Sequence, residues 1–254
     1  MIQISGKPLD LQTLESEYPR SGPEWPILEA MSSSRENYGY ASLDQLRFEL
    51  KMRMATVKAA RELDQSDMDF AIFRKSRCNP AYWSRTDNGG FVLKNGVRPS
   101  EAIRDIYLNG SQYATECATA MLIVFYKAVL DVVPDALFDR MFPEIELMDW
   151  RHVDPLFRNV GLMRSSGDFF AGDRRYFMNP DVNPETPEWQ GENVIVLGPD
   201  SYYGHGIGIH NGATMIRELN KNRVGGAEQS AYLLDRAGRP DYTKIWEMLQ
   251  TYHP

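Results

Sequence analysis

The apolar segment Met121–Val133 constrains the fold of this chain more than any other part of the sequence. Only Lys127 and Asp131 introduce charge into it. A helix that is apolar around its whole circumference is buried on every side, and this one is too short and too often interrupted for a membrane span. The rest of the chain must therefore supply the surfaces that cover one central helix.

A cysteine stands at the start of that helix. Thr115 is the predicted N-cap, which places Cys117 in the first turn. There the unpaired backbone N–H groups and the helix dipole favour the thiolate, which is the nucleophilic form of the side chain. The alternative is that Cys117 is a small hydrophobic residue of the core, which is a common role for a single cysteine.

Helical patterns precede Cys117, and short strands follow it. The capping box Ser42–Gln45 predicts a helix to about Leu63, and Pro99 opens a helix over Ala102–Leu108. Beyond Pro143, aromatic-rich segments alternate with turn residues and predict antiparallel strands. The other predicted elements are a hairpin of Tyr82–Arg85 with Phe91–Leu93, strands at Phe169–Ala171 and Tyr176–Met178, a pair formed by Asn193–Leu197 and Tyr202–Ile209, and helices at Asn211–Asn220, Glu228–Arg236 and Asp241–Leu249.

This order predicts an α+β fold, with the cysteine helix packed on an antiparallel sheet and extra helices at both ends. A chain of 254 residues can bury one substantial core, and nothing in it requires a second domain. The net charge of −7 and the pI near 5.2 argue against a nucleic-acid surface. The first residues lack a basic region followed by an apolar core, so we expect cytoplasmic synthesis without a signal peptide, and no membrane partner.

A cysteine nucleophile needs a base, and three side chains are candidates. His205 lies between two glycines, which allow close backbone approach, but a histidine satisfied within a hairpin is an equal alternative. Glu192 stands at the mouth of an apolar strand, although a single Glu at a strand start is commonly a surface residue. Glu116 precedes Cys117 and points about a quarter-turn away on a helix, where the simpler role is that of an anion at a helix start.

Both carboxylates act against a resting thiolate. A carboxylate close to a thiol raises the pKa of the thiol by like-charge repulsion and so opposes the helix dipole. We therefore expect Cys117 to rest as a thiol that shares one proton with a carboxylate, which acts as the base during attack. Activity should then rise toward alkaline pH.

Several segments together resemble one known family. They are Glu49–Met54, Ala102–Ile106, Glu116–Ala120, Gly191–Ile195, His205–Ile209, Asn211–Gly212 and Gln229–Leu234. In this order and at this length of chain, they resemble the small protein-glutamine γ-glutamyltransferases (transglutaminases) of endospore-forming bacteria, which cross-link spore coat proteins. The resemblance extends over almost the whole sequence.

The resemblance implies a single catalytic domain over residues 1–254 with a papain-like core, similar to the NlpC/P60-like cell-wall cysteine peptidases. It implies Cys117 as the nucleophile of a ping-pong acyl transfer, Glu192 as the base, alone or shared with Glu116, and His205 close by. Family members work without calcium, so we expect no metal site and no cofactor. The implied partners are proteins that carry Gln as acyl donor and Lys as amine donor, with deposition on the spore coat.

Preference for an amine over water requires a site that excludes water. Aromatic faces attract an ammonium group, and five aromatic residues are candidate walls of the site: Trp150, Trp189, Phe169, Tyr202 and Tyr203. For any single one of them, packing in the core or in a hairpin is the alternative. Cys78 has no comparable neighbours, and we interpret it as structural.

Two other functions remain open at this point. A cysteine amidase or peptidase of the same fold would use the same nucleophile with water as the acceptor. A non-catalytic structural coat protein would hold Cys117 only as a packed side chain. Thr115 and Gln190 stand where the family is associated with an aromatic residue and an arginine, and neither change removes a reacting group.

Overall fold

The computed structural model describes residues 1–253, and its largest sheet has five strands. The α-helices of this part of the chain are α1 (Trp25–Ser33), α2 (Leu43–Asp64), α3 (Pro99–Leu108), α4 (Cys117–Leu130), α5 (Asp135–Met141), α6 (Arg158–Leu162), α7 (Gly212–Asn220) and α8 (Tyr242–Gln250). The strands are β1 (Ile2–Ile4), β2 (Lys7–Pro8), β3 (Tyr38–Tyr40), β4 (Asp69–Phe70), β5 (Trp83–Arg85), β6 (Phe91–Leu93), β7 (Ala114–Thr115), β8 (Glu146–Leu147), β9 (Arg164–Ser165), β10 (Arg174–Met178), β11 (Gly191–Gly198), β12 (Ser201–Gly204), β13 (Gly208–His210), β14 (Tyr232–Leu233) and β15 (Arg236–Ala237). This mixture confirms the predicted α+β class.

The apolar segment forms α4, and every residue of α4 is buried. Helices α2, α3 and α5 and strand β11 all pack against it. Lys127 is tolerated there because its ammonium donates to Asp131 Oδ1 at 2.6 Å and lies 5.1 Å from the centre of the Tyr107 ring. The central helix predicted from the sequence is thus confirmed.

The main sheet is antiparallel, with strand order β13-β12-β11-β10-β14. Side chains alternate between its faces. Ile195 and its cross-strand partner Tyr203 belong to the core that surrounds α4, whereas Val196 and its partner Tyr202 pack in a second cluster with Met215 of α7. Because α4 occupies one face and α7 the other, regular alternation directs every second side chain of β10 and β11 toward α4.

Three helix starts follow the sequence signals closely. Ser42 caps α2 by accepting from the Gln45 amide, and Asn211 caps α7 by accepting from the Thr214 amide. At α4 the cap lies one residue later than predicted. Thr115 belongs to β7, where it pairs with Phe70, and Glu116 is the N-cap.

The predicted helix at Glu228–Arg236 is wrong. The Asp181 carboxylate accepts from the amides of Glu228 and Gln229, and the Asn220 side chain accepts from the amide of Ala231. With these amides held by side chains, the segment runs extended and adds β14 to the edge of β10. The final predicted helix, by contrast, is confirmed as α8.

The predicted strand Phe169–Ala171 is also wrong, because this stretch is a loop leading into β10. The predicted pairing partner Tyr202–Ile209 is two strands, β12 and β13, separated by the turn at His205–Ile207. That turn brings His205 to the end of β12, opposite β4.

Candidate active site

Cys117 is the first residue of α4, and its side chain is 9 % exposed. The Glu116 carboxylate accepts from the amide of Ala118 at 2.6 Å and from that of Thr119 at 2.7 Å. Both oxygens of Glu116 are therefore engaged in capping the helix. Within residues 1–253 the amide of Cys117 donates to no acceptor, which leaves one free N–H group beside the sulfur.

Asn193 of β11 contacts the sulfur directly. Its Nδ2 donates to Cys117 Sγ at 3.1 Å, and its Oδ1 accepts from Arg174 Nε at 2.8 Å. Arg174 is 3 % exposed, and its guanidinium lies 3.8 Å from the centre of the Trp150 ring. Burial lowers the pKa of Arg174 to about 9, a value at which the side chain still carries its charge at neutral pH.

Glu192 lies beneath the surface of the site. Its side chain is 3 % exposed, and its Oε1 has no hydrogen-bond partner among the described residues. A side chain at Gly204 would meet the Glu192 carboxyl, since a Cβ there would lie 2.9 Å from Oε1. The glycine of β12 thus provides the space that Glu192 occupies.

Burial and neighbouring charges suppress ionisation of both Cys117 and Glu192. Burial, followed by the charges of Glu192 and Glu116, raises the pKa of the Cys117 thiol well above its ordinary value. Burial, followed by the charge of Glu116, likewise raises the pKa of Glu192 well above its ordinary value. The hydrogen bond from Asn193 acts in the opposite direction on the thiol. A buried carboxyl with an unpaired oxygen, whose charge acts on a buried thiol, is a candidate partner for proton exchange.

His205 has different neighbours. Its Nδ1 lies 3.1 Å from the Tyr203 hydroxyl, and its Nε2 lies 3.1 Å from the carbonyl oxygen of Asp69 in β4. Burial lowers the pKa of His205 to about 4, so the imidazole is neutral at ordinary pH. Both ring nitrogens are engaged away from Cys117.

The thiol opens into a cavity of about 760 Å³. Trp150 lines this cavity, as the sequence predicts, together with Phe70 and Phe73. Trp189 is not among the lining residues but packs against Phe70, with ring centres 6.4 Å apart. Of the five predicted aromatic walls, Trp150 therefore lines the cavity, and Trp189 packs against Phe70, which lines it.

The other three predicted walls lie elsewhere, which corrects that part of the prediction. Phe169 and Tyr202 line a separate cavity, together with Arg175 and residues of α1 and α2. Tyr203 faces the α4 core, where its hydroxyl contacts His205. Strand alternation explains the separation, because Arg174 and Tyr176 of β10 face Cys117 while Arg175 between them faces Phe169.

Sequence reasoning did not single out Arg174 or Asn193 as functional residues. In the sequence, Arg174 is only one polar position in a short strand, and nothing beside it indicates that it is buried. The available signal was the alternation itself, since Asn193 shares a face with Ile195 and Leu197 and must therefore point toward α4.

The second cysteine of the chain, Cys78, does not belong to the candidate active site. Cys78 is half-buried against the main core, and burial raises its pKa to about 11. Among residues 1–253 no group of three or more His, Cys, Asp or Glu side chains is arranged to hold a metal ion. No helix in this part of the chain has both the length and the apolar character needed to cross a membrane.

Comparison with known proteins identifies the family. The model of the protein-glutamine gamma-glutamyltransferase family matches residues 1–249. A protein-glutamine gamma-glutamyltransferase of Bacillus pumilus is 43% identical over 248 residues, which covers 98% of this chain and 99% of the relative. One of Halalkalibacterium halodurans is 40% identical over 260 residues, which covers 100% of this chain and 89% of the relative.

A solved structure agrees with the sequence matches. The transglutaminase from Geobacillus stearothermophilus, without its C-terminal extension, superposes with a TM-score of 0.77 at 43% identity, covering 83% of this chain and 100% of the other. The buried thiol, its amide donor and the adjacent carboxyl groups thus occur in a chain that aligns with these acyltransferases over its described fold. The chain belongs to the protein-glutamine gamma-glutamyltransferase family.

Proposed function

We propose that Cys117 and Glu192 carry out a calcium-independent ping-pong acyl transfer that joins protein glutamine to protein lysine. The observation that supports this most directly is a thiol opening into a large cavity while two buried carboxyl groups act on it. An acyl transferase needs a nucleophile that substrate can reach and a base that solvent does not neutralise.

In the first half-reaction, ionised Glu192 takes the proton of Cys117 and the sulfur attacks the γ-carboxamide carbon of glutamine. The carbonyl becomes a tetrahedral oxyanion, to which the free N–H of Cys117 can donate. The carbon–nitrogen bond then breaks, the Glu192 proton passes to the departing nitrogen, and ammonia leaves. A γ-glutamyl thioester remains on Cys117.

In the second half-reaction, Glu192 takes a proton from the lysine ε-amino group as that nitrogen attacks the thioester carbon. The carbon–sulfur bond breaks, and the sulfur regains a proton from Glu192. The product is an ε-(γ-glutamyl)lysine isopeptide bond. Phe70, Phe73 and Trp150 give the cavity an apolar wall that disfavours water as the competing acceptor.

Glu192 is a better base than either alternative. Both oxygens of Glu116 accept backbone N–H groups, so a proton on that carboxyl would break the helix cap. Both nitrogens of His205 are engaged elsewhere, and its pKa of about 4 makes it a weak proton acceptor. Glu192 keeps an unpaired oxygen and a raised pKa, which are the properties expected of a general base poised for use.

We extend the proposal to the biological setting. The chain acts as a single catalytic domain with a papain-like arrangement, in which α4 carries the nucleophile and packs on the antiparallel strand β11 that carries the base. Its substrates are coat proteins, and after cytoplasmic synthesis it is deposited on the spore coat. Calcium independence is supported by the sequence around Asp64, Asp67 and Asp69, which lacks the glycine and spacing of a calcium-binding loop. Antibody labelling of intact spores of the source bacterium tests the location.

The activity is tested by incorporation of a fluorescent primary amine into casein in the presence of EDTA. We expect incorporation by the unmodified protein, none by Cys117→Ala, and full incorporation by the matched control Cys78→Ala. Glu192→Ala should lose about 10² to 10⁴ of the rate, which is the usual contribution of a general base.

Other outcomes assign other functions. Incorporation that survives Glu192→Ala but fails in His205→Gln would transfer the base role to His205. Ammonia release without amine incorporation would indicate an amidase. If neither ammonia release nor incorporation occurs, a structural coat protein is the remaining function.

A further inference from the structure

We infer that Arg174 is a positioning residue for the nucleophile: by holding the Asn193 carboxamide in one orientation, it keeps an N–H donor on the sulfur of Cys117. The inference rests on the proposed use of Cys117 as nucleophile. Asn193, which contacts the reacting atom, is then a catalytic residue, whereas Arg174 acts through it.

The chemistry of the guanidinium decides which end of the Asn193 amide faces which neighbour. A guanidinium has donors and no acceptor. Arg174 approaches Asn193 with two of its nitrogens, Nε at 2.8 Å and Nη2, so the amide end that faces it must be the oxygen. The NH₂ end is thereby directed to Cys117 Sγ, 3.1 Å away. This orientation follows from the donor inventory and does not depend on distinguishing oxygen from nitrogen by shape.

Arg174 is itself prevented from turning away. Its Nη1 donates to the Val160 carbonyl at 2.6 Å, and the Trp150 ring covers one face of the guanidinium at 3.8 Å. Only 3 % of its surface is exposed. The guanidinium is thus held at one edge by a backbone carbonyl and on one face by an aromatic ring, which leaves its Nε edge facing Asn193.

The orientation matters because the sulfur otherwise faces groups that oppose its ionisation. The charged and titratable groups directed at it or at its neighbouring carboxylates are Glu116, Asp149, Arg174, Tyr176, Glu192 and Tyr203. Arg174 is the cation of this set. A hydrogen bond strengthens when its acceptor becomes ionised, so the Asn193 donor stabilises the sulfur at the moments when it loses its proton and when the thioester expels it.

The test measures the reactivity of the thiol without any transglutaminase substrate. In a Cys78→Ser background, so that one thiol remains, the rate of alkylation by iodoacetamide is followed from pH 6 to pH 10. Arg174→Lys keeps the positive charge but loses the planar pair of donors that fixes the amide. Arg175→Lys is the matched control, because it makes the same change one residue along β10, on the face where the guanidinium stacks on Phe169.

We expect Arg174→Lys to slow alkylation near neutral pH about tenfold, the rate change that a rise of about one unit in the thiol pKa gives and the size of one lost charge-assisted hydrogen bond. Arg175→Lys should leave the profile unchanged. In the amine-incorporation assay, Arg174→Lys should lower kcat and leave KM for the amine unaltered. An Arg174→Lys profile that superimposes on that of Arg175→Lys would overturn the inference.

Asn193→Ala provides the second variant if Arg174→Lys does not fold. It removes the donor to the sulfur without adding a charge beside it. Alkylation of this variant should also be slower near neutral pH, and an unchanged rate contradicts the inference. In the unmodified protein, the Asn193 carboxamide should give slowly exchanging proton signals that shift when Cys117 is alkylated, and freely exchanging signals would contradict it.

These measurements separate the inference from the proposed function. Alkylation reports on the thiol whether or not the protein incorporates amines. If the unmodified protein fails to incorporate amine while Arg174→Lys still shifts the alkylation profile, the positioning role stands and the proposed function fails. If the unmodified protein incorporates amine but Arg174→Lys leaves the alkylation profile unchanged, the proposed function stands and the positioning role of Arg174 fails.

Discussion

At the scale of single residues, Glu192 combines its proposed role as the base with a cost to stability. Its carboxyl is buried with an unpaired oxygen, and its pKa is raised. Above the ordinary Glu pKa of 4.5 the unfolded chain releases a proton that the folded protein retains. Folding stability therefore falls as pH rises from 4.5 toward the folded pKa.

We predict that Glu192→Gln abolishes amine incorporation while making the protein more stable at neutral pH. The glutamine keeps the shape of the side chain and removes the ionisation that opposes folding. The gain should be on the order of 1.4 kcal/mol for each pH unit above 4.5 over which the folded protein keeps a proton that the unfolded chain has released, and each kcal/mol raises Tm by roughly 2–4 °C for a chain of this size. Differential scanning calorimetry at several pH values measures it.

The sign of the pH dependence distinguishes this explanation from general repacking. The gain should shrink as pH falls and vanish below about pH 4.5, where both states hold the proton. The exposed Glu247→Gln is the control and should show no gain at any pH. A gain that stays constant down to acid pH would contradict the burial argument.

Sequence patterns correctly located Cys117 at a helix start and Glu192 near a strand start, but failed where contacts from distant segments decide the arrangement. A cysteine at the start of an apolar helix is visible in the sequence, and so is a carboxylate at the mouth of an apolar strand. The assignment of Thr115 as cap was wrong because Glu116 reaches two amides at once, which a threonine hydroxyl cannot do. Arg174 was missed because its burial depends on Trp150, which lies in a distant loop.

At the scale of elements, the start of α4 positions Cys117, the proposed nucleophile. The Glu116 carboxylate satisfies the amides of Ala118 and Thr119, and its charge raises the pKa of Cys117. Substitution separates the capping role of Glu116 from its charge. Glu116→Gln removes the charge but keeps one carbonyl acceptor for the helix amides, whereas Glu116→Ala removes both.

We predict that Glu116→Ala lowers the free energy of unfolding by about 1–2 kcal/mol, the usual cost of a lost cap, and that Glu116→Gln costs less. Both substitutions remove a negative charge beside the sulfur, so both should lower the thiol pKa and make alkylation faster near neutral pH. Urea unfolding and iodoacetamide kinetics measure the two effects. Ser42→Ala, which removes the cap of α2, is the control and should lower stability without altering the thiol.

If Glu116→Gln slows alkylation, the helix cap and not the charge controls the sulfur. If neither variant loses stability, the cap contributes nothing and Glu116 is free to serve as a base. Either result would revise the division of roles between Glu116 and Glu192.

A long helix with a regular apolar repeat was predictable from the sequence. A segment whose conformation depends on contacts with distant residues was not. The spacing of apolar residues and the capping box were enough to place α2 from Leu43 to Asp64. The Glu228–Arg236 segment has a helical composition, but Asp181 and Asn220 hold its amides from outside. A local sequence pattern does not predict a contact with a side chain from another part of the chain.

At the scale of the whole molecule, a buried ion network ties distant segments to the strand that carries Arg174. Arg53 of α2 donates to Asp173 at 2.8 Å, and Arg239 donates to the same carboxylate at 2.7 Å. Asp173 immediately precedes β10. The network thus joins α2, β10 and the C-terminal part of the described chain, a convergence that the sequence alone did not predict because its members are far apart along the chain.

We predict that Arg53→Gln lowers the free energy of unfolding by about 3–5 kcal/mol, because it leaves the fully buried Asp173 carboxylate without one of its two cations. Amine incorporation should fall with it, since β10 loses its anchor next to Arg174. The matched control is Arg47→Gln on the same helix: Arg47 also pairs with two carboxylates but is 38% exposed, whereas Arg53 is 0% exposed. Its stability change should be much smaller, and equal changes in the two variants, measured by urea unfolding, would show that burial is not what gives the network its strength.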